Sequence, residues 1–303
     1  MYYLRRINSN RCRRLFATRQ LGEYLMNALS FVAGRGPARW ASARMLVVAA
    51  LVAASTVGSS VTSAQITSLN DTGIIICYGP STPCEPVQHK KQDAMVGRDA
   101  AARTLGSGLT TNTGKGFSYT KISHSGGVLP DSAAQGVGPN DWACNRDNVT
   151  GLTWEIKTNI STNFRYVQNT YSWWQPDSSK NGGNSGVENA GSCSSAGRCD
   201  TLKYIADVNT IALCGKTNWR MPMPKELMNV GDYGAVSAPF FLGSTFPNAP
   251  TNTFRDGSPS YMLTALTLPY ASGESFLVHS EHGAVGSMSK SINRGSIFAV
   301  ANP

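Results

Sequence analysis

The 303-residue chain is short of charge, with Asp, Glu, Lys and Arg together at 15%, and the basic surplus it has is unevenly placed. Residues 1–64 contain nine of the 27 basic residues, all arginine, and one of the 18 acidic ones, Glu23, which leaves 18 basic against 17 acidic residues in the remainder. Of the formal net charge of +9, the leader therefore carries +8 and the body +1, and the body has no electrostatic footprint for DNA or RNA. No apolar run reaches the roughly 20 residues needed to span a bilayer, which argues against a permanent membrane helix. No pair of cysteines has C-x-x-C spacing, so a structural zinc site has no support. A G-x-S-x-G elbow, a Ser/His/Asp order, a Glu-Pro-Asn calcium string, a G-x-y period and any repeat of 20–50 residues are likewise missing.

The uncharged thirteen-residue run Met45–Val57 follows Arg39 and Arg44 and leads to Thr62-Ser63-Ala64. That order reads as a secretory signal peptide cleaved after Ala64. An uncleaved anchor and an organellar transit peptide are the alternatives. Residues 1–44 are long for an n-region, so the expected start lies further downstream. Export agrees with the cysteines: outside the leader there are six, Cys77, Cys84, Cys144, Cys193, Cys199 and Cys214, an even number suited to an oxidising compartment. Cys77/Cys84 and Cys193/Cys199 are each separated by a short Gly-, Ser- or Pro-rich stretch, so local pairing is the economical expectation, and Cys144–Cys214 follows by elimination.

The domain reading is a leader at 1–64, an N-terminal strand and loop elaboration at 65–140, and a main domain at 141–303. Strands are expected at Gly73–Tyr78, Phe117–Ile122 and Leu152–Ile156. Residues 175–198 form a polar loop rich in Gly, Asn and Ser, long enough to be either functional or mobile. From Asp200 the residues Leu202, Ile205, Ala206, Asn209, Ala212 and Leu213 recur at helical spacing, with Asp200 or Thr201 as cap and Gly215 as stop. A shorter helix is expected to begin at Pro224. Glu274–Ser280, Gly283–Met288 and Ser296–Ala301 read as a strand meander.

Three clusters are specific when taken together. The first runs from Trp142 to Glu155 and contains Cys144, Asp147, Asn148, Thr150, Gly151, Leu152 and Trp154; the second runs from Leu213 through Trp219, Arg220, Met221 and Pro222 to Glu226 and Leu227; the third is Phe276–Gly283. With the paired aromatics of Tyr171-Ser172-Trp173-Trp174, they resemble the Lcl C-terminal domain family, named after the last domain of a collagen-like bacterial adhesin. Upstream, Asp71-Thr72-Gly73 and Arg98-Asp99-Ala100 resemble the leader region of exported members, so the likeness covers roughly residues 71–303.

The resemblance implies an α+β, C-type-lectin-like fold, disulfide-stapled and loop-rich, related in scaffold to the formylglycine-generating sulfatase-modifying enzymes. It also implies an exported bacterial binding or adhesion module, periplasmic or at the cell surface, with a glycan or an envelope protein as partner and a homo-oligomer left open. An enzyme derived from the formylglycine-generating scaffold and a structural envelope module are the competing classes. No catalytic residue, metal ligand or cofactor site is assigned, because those enzymes need a late cysteine pair and none follows Cys214. Trp173, Trp174 and Arg220 are the candidate ligand surface, adjacent strand residues facing opposite ways. His279 and His282 are expected on opposite faces of a strand, unable to share an ion. Met223 stands where family members carry threonine, so the capping box ending in Glu226 lacks its hydroxyl.

Overall fold

The computed structural model describes residues 68–77, 91–105, 113–250, 261–292 and 294–303. The expected signal segment and Cys84 lie outside the described residues. Three sheets organise the fold. The largest comprises β1 (Tyr119–Ser123), β2 (Trp142–Asp147), β3 (Thr153–Glu155), β5 (Trp219–Arg220) and β10 (Val300–Ala301). Its order is β1-β2-β3-β10-β5, antiparallel throughout, so the last strand of the chain lies between two strands from its middle. A three-stranded meander is formed by β6 (Tyr261–Leu268), β7 (Ala271–His279) and β8 (Val285–Ser289), and a short ladder joins β4 (Tyr171–Ser172) to β9 (Arg294–Gly295). The helices are α1 (Asp93–Val96), α2 (Arg98–Leu105), α3 (Thr201–Thr210) and α4 (Pro224–Asn229), with a 3-10 turn at Leu213–Gly215. The fold is therefore α+β, with sheet predominating over helix. Among the described residues no helix is long and apolar enough to cross a membrane.

Both faces of the large sheet are buried, which follows from strand alternation. On β10, Val300 joins a core of Trp154, Leu227, Phe241, Phe246 and Phe298, while Ala301 joins a second core with Trp219, Tyr204, Val208 and Leu277. The Cys144–Cys214 disulfide ties β2 to the 3-10 turn across 70 residues, and Cys193–Cys199 closes a short clip in front of α3. Cys77 is also disulfide-bonded.

Several expectations are corrected. Residues 73–77 form no strand, because side chains take up their backbone: Asp71 accepts from the Thr72 amide, the Thr72 hydroxyl accepts from the Ile74 amide, and the Thr72 carbonyl accepts from Tyr233. Polar side chains of this kind offer the main chain an alternative to a ladder. Asp93–Val96 and Arg98–Leu105 are helical, an alanine-rich stretch without an apolar stripe. The third strand of the meander is β6; of Ser296–Ala301 only Val300–Ala301 is a strand, and it belongs to the large sheet. The sheet also runs across position 140, since β1 pairs with β2. In α3, Asp200 is the cap and accepts from the Lys203 amide, but the buried face is Thr201, Tyr204 and Val208, and Leu202 is exposed. The helix turns this way because the Tyr204 hydroxyl reaches a buried carboxylate, Glu155. It ends at Thr210, and Ala212 takes the left-handed turn ahead of Gly215.

At the start of α4, Glu226 accepts from the Met223 amide at 2.7 Å, but Met223 makes no side-chain cap bond. Its side chain is 36% exposed. Met223→Thr is expected to stabilise the protein by about 0.5–2 kcal/mol, read as a raised urea midpoint at unchanged slope. A lowered midpoint would show that the methionine is retained for packing or contact.

Candidate binding groove

The family-motif residues are mostly spent on the fold. Asp147 is fully buried and accepts from the Val149 amide, the Thr150 hydroxyl and the Asn70 carboxamide at 2.9, 2.8 and 2.6 Å. Burial pushes its carboxyl up, and these bonds oppose the shift. Gly151 closes the turn at φ +76°, where a side chain would be strained. Asn148 is exposed, while Leu152 and Trp154 enter the core. The Asn70 contact also fastens the 68–77 segment to the motif, and the Asp99 amide donates to Asp71, joining the two upstream motifs.

Trp219 is buried with its indole donating to the Leu213 carbonyl, and Pro222 and Leu227 are buried beside it in sequence. Arg220 lies on the opposite face and forks onto Glu226 at 2.8 and 2.7 Å, with its Nε on the Asn302 carboxamide at 3.1 Å. A bidentate guanidinium of this kind is a fixed structural pair, so the candidate ligand cation is already partnered.

Glu155 closes the first motif cluster. It is fully buried and receives the Lys157 ammonium at 2.9 Å, the Ala299 amide at 2.8 Å and the Tyr204 hydroxyl. Lys157 also donates to Tyr204, and the equally buried Arg165 caps the Ala143 and Ile156 carbonyls. Burial pulls the Lys157 pKa down against the attraction of Glu155, and burial followed by Glu155 raises the Tyr204 phenol.

The aromatic pair divides the other way from a simple exposed platform. Trp173 is 2% exposed, donates to the Thr264 carbonyl and lies under the Lys290 ammonium at 3.9 Å. It therefore leaves the candidate surface, because the 175–187 loop folds over it. Trp174 is half-buried. Lys290, itself buried, holds that loop through the Asn181 and Asn184 carbonyls at 2.8 and 3.0 Å and bonds the Thr267 hydroxyl at 2.8 Å. Burial pushes its ammonium down to about 8. Lys290→Met is expected to cost about 2–3 kcal/mol by orphaning these acceptors, and to make limited proteolysis within 175–187 faster. Unchanged cleavage would contradict the pinning role.

His279 and His282 are not on opposite faces. β7 ends at His279, and the following turn brings the two imidazoles to 5.1 Å between centroids, with Tyr261 edge-on to His279 at the same separation. Burial and then His282 lower the His279 pKa. Among the described residues no group of three or more His, Cys, Asp or Glu is placed to hold a metal.

The concavity with uncommitted chemistry lies elsewhere. A groove of about 420 Å³ is lined by Ser161, Tyr166, Gln168, Asn169, Thr170, Ser192, Cys193 and Ser194. One wall is the loop after β3, the other the Cys193–Cys199 clip. Asn169 bridges them: its carboxamide donates to the Phe164 carbonyl at 2.9 Å and accepts from the Ser194 amide at 3.2 Å. Thr170 and Ser192 bond reciprocally, N–H to carbonyl at 2.8 Å and N–H to hydroxyl at 3.1 Å. Gly191 supports this approach, since a Cβ there would fall 2.3 Å from the Thr170 carbonyl. By contrast, the side chains of Ser161, Tyr166 and Gln168 have no hydrogen-bond partner among the described residues. Sequence reasoning missed these three, which have neither period nor motif; the clip cysteines were the available pointer.

No curated protein and no solved structure matches the chain. The family model of the Lcl C-terminal domain matches residues 143–301, more than half of the chain and the whole of the groove. The chain belongs to the Lcl C-terminal domain family.

Proposed function

We propose that this chain is an exported, non-catalytic binding module of the adhesion type, built on a C-type-lectin-like fold. The observation that carries the reading is the groove: its walls are cross-tied by Asn169 and Thr170, one of them is closed on itself by a disulfide, and three polar side chains in it are unspent. A pre-ordered concave surface with free donors and acceptors is what binding requires, since less ordering entropy is lost on association. The ionisable groups deepest in the domain are consumed by one another, as at Glu155 and Lys157, or by fixed polar neighbours, as at Asp147 and Lys290, which favours binding over turnover. Closed disulfides support an oxidising compartment, hence export. The closure of β10 onto β3 and β5, beside a disulfide of long reach, supports the lectin-like scaffold.

The test is to incubate the full chain with dextran, chitohexaose, dextran sulfate, a tryptic peptide mixture and a cysteine-containing peptide. The expected result is retention of the chain on at least one immobilised probe, with the mass of every probe unchanged. Product formation in proportion to protein concentration, or retention on none of them, would overturn the reading.

A further inference from the structure

We propose that the groove takes a neutral, polyhydroxylated ligand, a saccharide without charged groups, stacked on Tyr166 and hydrogen-bonded by Gln168 and Ser161. The inference rests on the binding reading above and goes further by assigning a site and a ligand chemistry. The first ground is charge. None of the eight lining residues is ionic at neutral pH, so a sulfate or phosphate would meet no cation and an ammonium no carboxylate. The cations that follow on the clip and on α3 are also taken up: Arg198 forks onto Asp207, and Lys203 is held by Glu188 and Asp200. An anionic ligand gains most of its affinity from free guanidinium or ammonium groups, and these two are engaged.

The second ground is the kind of polar group left over. A hydroxyl is at once donor and acceptor, a carboxamide offers both functions on one plane, and a phenol has a flat apolar body with a polar tip. Sugar hydroxyls are themselves both donors and acceptors, and a pyranose has an apolar face. Ser161, Gln168 and Tyr166 match those features, and Tyr166 and Gln168 are half-buried, which limits the freedom they lose on contact. The third ground separates a saccharide from an extended peptide. Strand addition needs a continuous row of free main-chain donors, whereas five of the eight lining residues, Tyr166, Asn169, Thr170, Ser192 and Ser194, donate their amides within the protein. The volume of about 420 Å³ lies within the roughly 300–1,000 Å³ range of ligand sites.

The full chain should be titrated with maltohexaose, cellohexaose and chitohexaose, with dextran sulfate and a tryptic peptide mixture as separate arms. The inference expects binding to at least one neutral hexasaccharide, little changed by added salt and weakened about tenfold or more by Tyr166→Ala or Gln168→Ala. Tyr166→Phe and Gln168→Glu serve as variants that keep side-chain volume; with an unaltered melting transition they separate loss of contact from loss of fold. Salt-sensitive binding to dextran sulfate alone, or binding to peptides alone, would overturn the ligand class while leaving the binding-module reading standing. Neutral-saccharide binding that survives all four substitutions would overturn the site. Failure to bind any probe would overturn both.

Discussion

Replacing Glu155 with glutamine is expected to lower the unfolding free energy by about 3–5 kcal/mol. The shape of the side chain is kept and only its charge is lost. What remains is a lysine 1% exposed and an arginine equally buried, without the anion that faces them. Removing one partner of a buried pair costs more than the pair contributes, because the survivor keeps its desolvation penalty. The double replacement Glu155→Gln with Lys157→Met should therefore cost clearly less than the sum of the single ones, a coupling that a urea double-mutant cycle reads directly. The sign of the pH dependence follows as well. The folded-state pKa of Lys157 is depressed below its ordinary 10.5 by burial, so between those two values the unfolded chain binds more protons and stability rises with pH. Without Glu155 to offset the burial, the window extends to lower pH and the rise steepens. A single-variant cost under about 1 kcal/mol would place the cluster in the energetic class of a surface pair.

The second large effect is the loss of the Cys144–Cys214 bridge. In the chain-entropy account, a closed loop of 70 residues is worth about 4 kcal/mol, against about 2.5 kcal/mol for the six-residue Cys193–Cys199 clip. Both sulfurs of the long bridge are buried in the core that contains Trp219 and Val208. Replacing both cysteines of that pair with alanine should depress the melting temperature by about 8–16 °C, and the clip pair by about 5–10 °C. Equal losses would contradict the loop-length argument. The clip variant carries a second expectation: its groove wall is no longer closed by a disulfide, so ligand retention should fall more than its stability.

These two effects mark where the sequence was informative. The bridges were legible because short Gly- and Ser-rich spacings favour local pairing and left Cys144 and Cys214 to each other. The helix starts were legible because Asp200 and Pro224 have capping and first-turn chemistry that acts locally. β6 was not legible, since Tyr261–Leu268 mixes leucine, alanine and threonine without an apolar alternation that marks a half-buried strand. The Glu155 cluster was not legible either. Its members come from 155–165 and from position 204, and reading by residue type sends such charges to the surface. The groove is harder still, because it is made of polar residues and main chain from two segments that are brought together by the Asn169 carboxamide and the Thr170–Ser192 bonds. Trp173 and Arg220 looked better by composition; the loop held by Lys290 covers one, and Glu226 engages the other.

The claim at the centre of the account is that ligand contact falls on the groove and not on the aromatic and arginine surface that composition favours. Amide NMR of the full chain titrated with a mixture of maltohexaose, cellohexaose, chitohexaose and dextran sulfate measures this most directly. The account predicts shift changes concentrated at Ser161, Tyr166, Gln168, Ser192 and Ser194, with Trp174 and Arg220 unmoved. Changes centred on Trp174 or Arg220, with the groove silent, would contradict it.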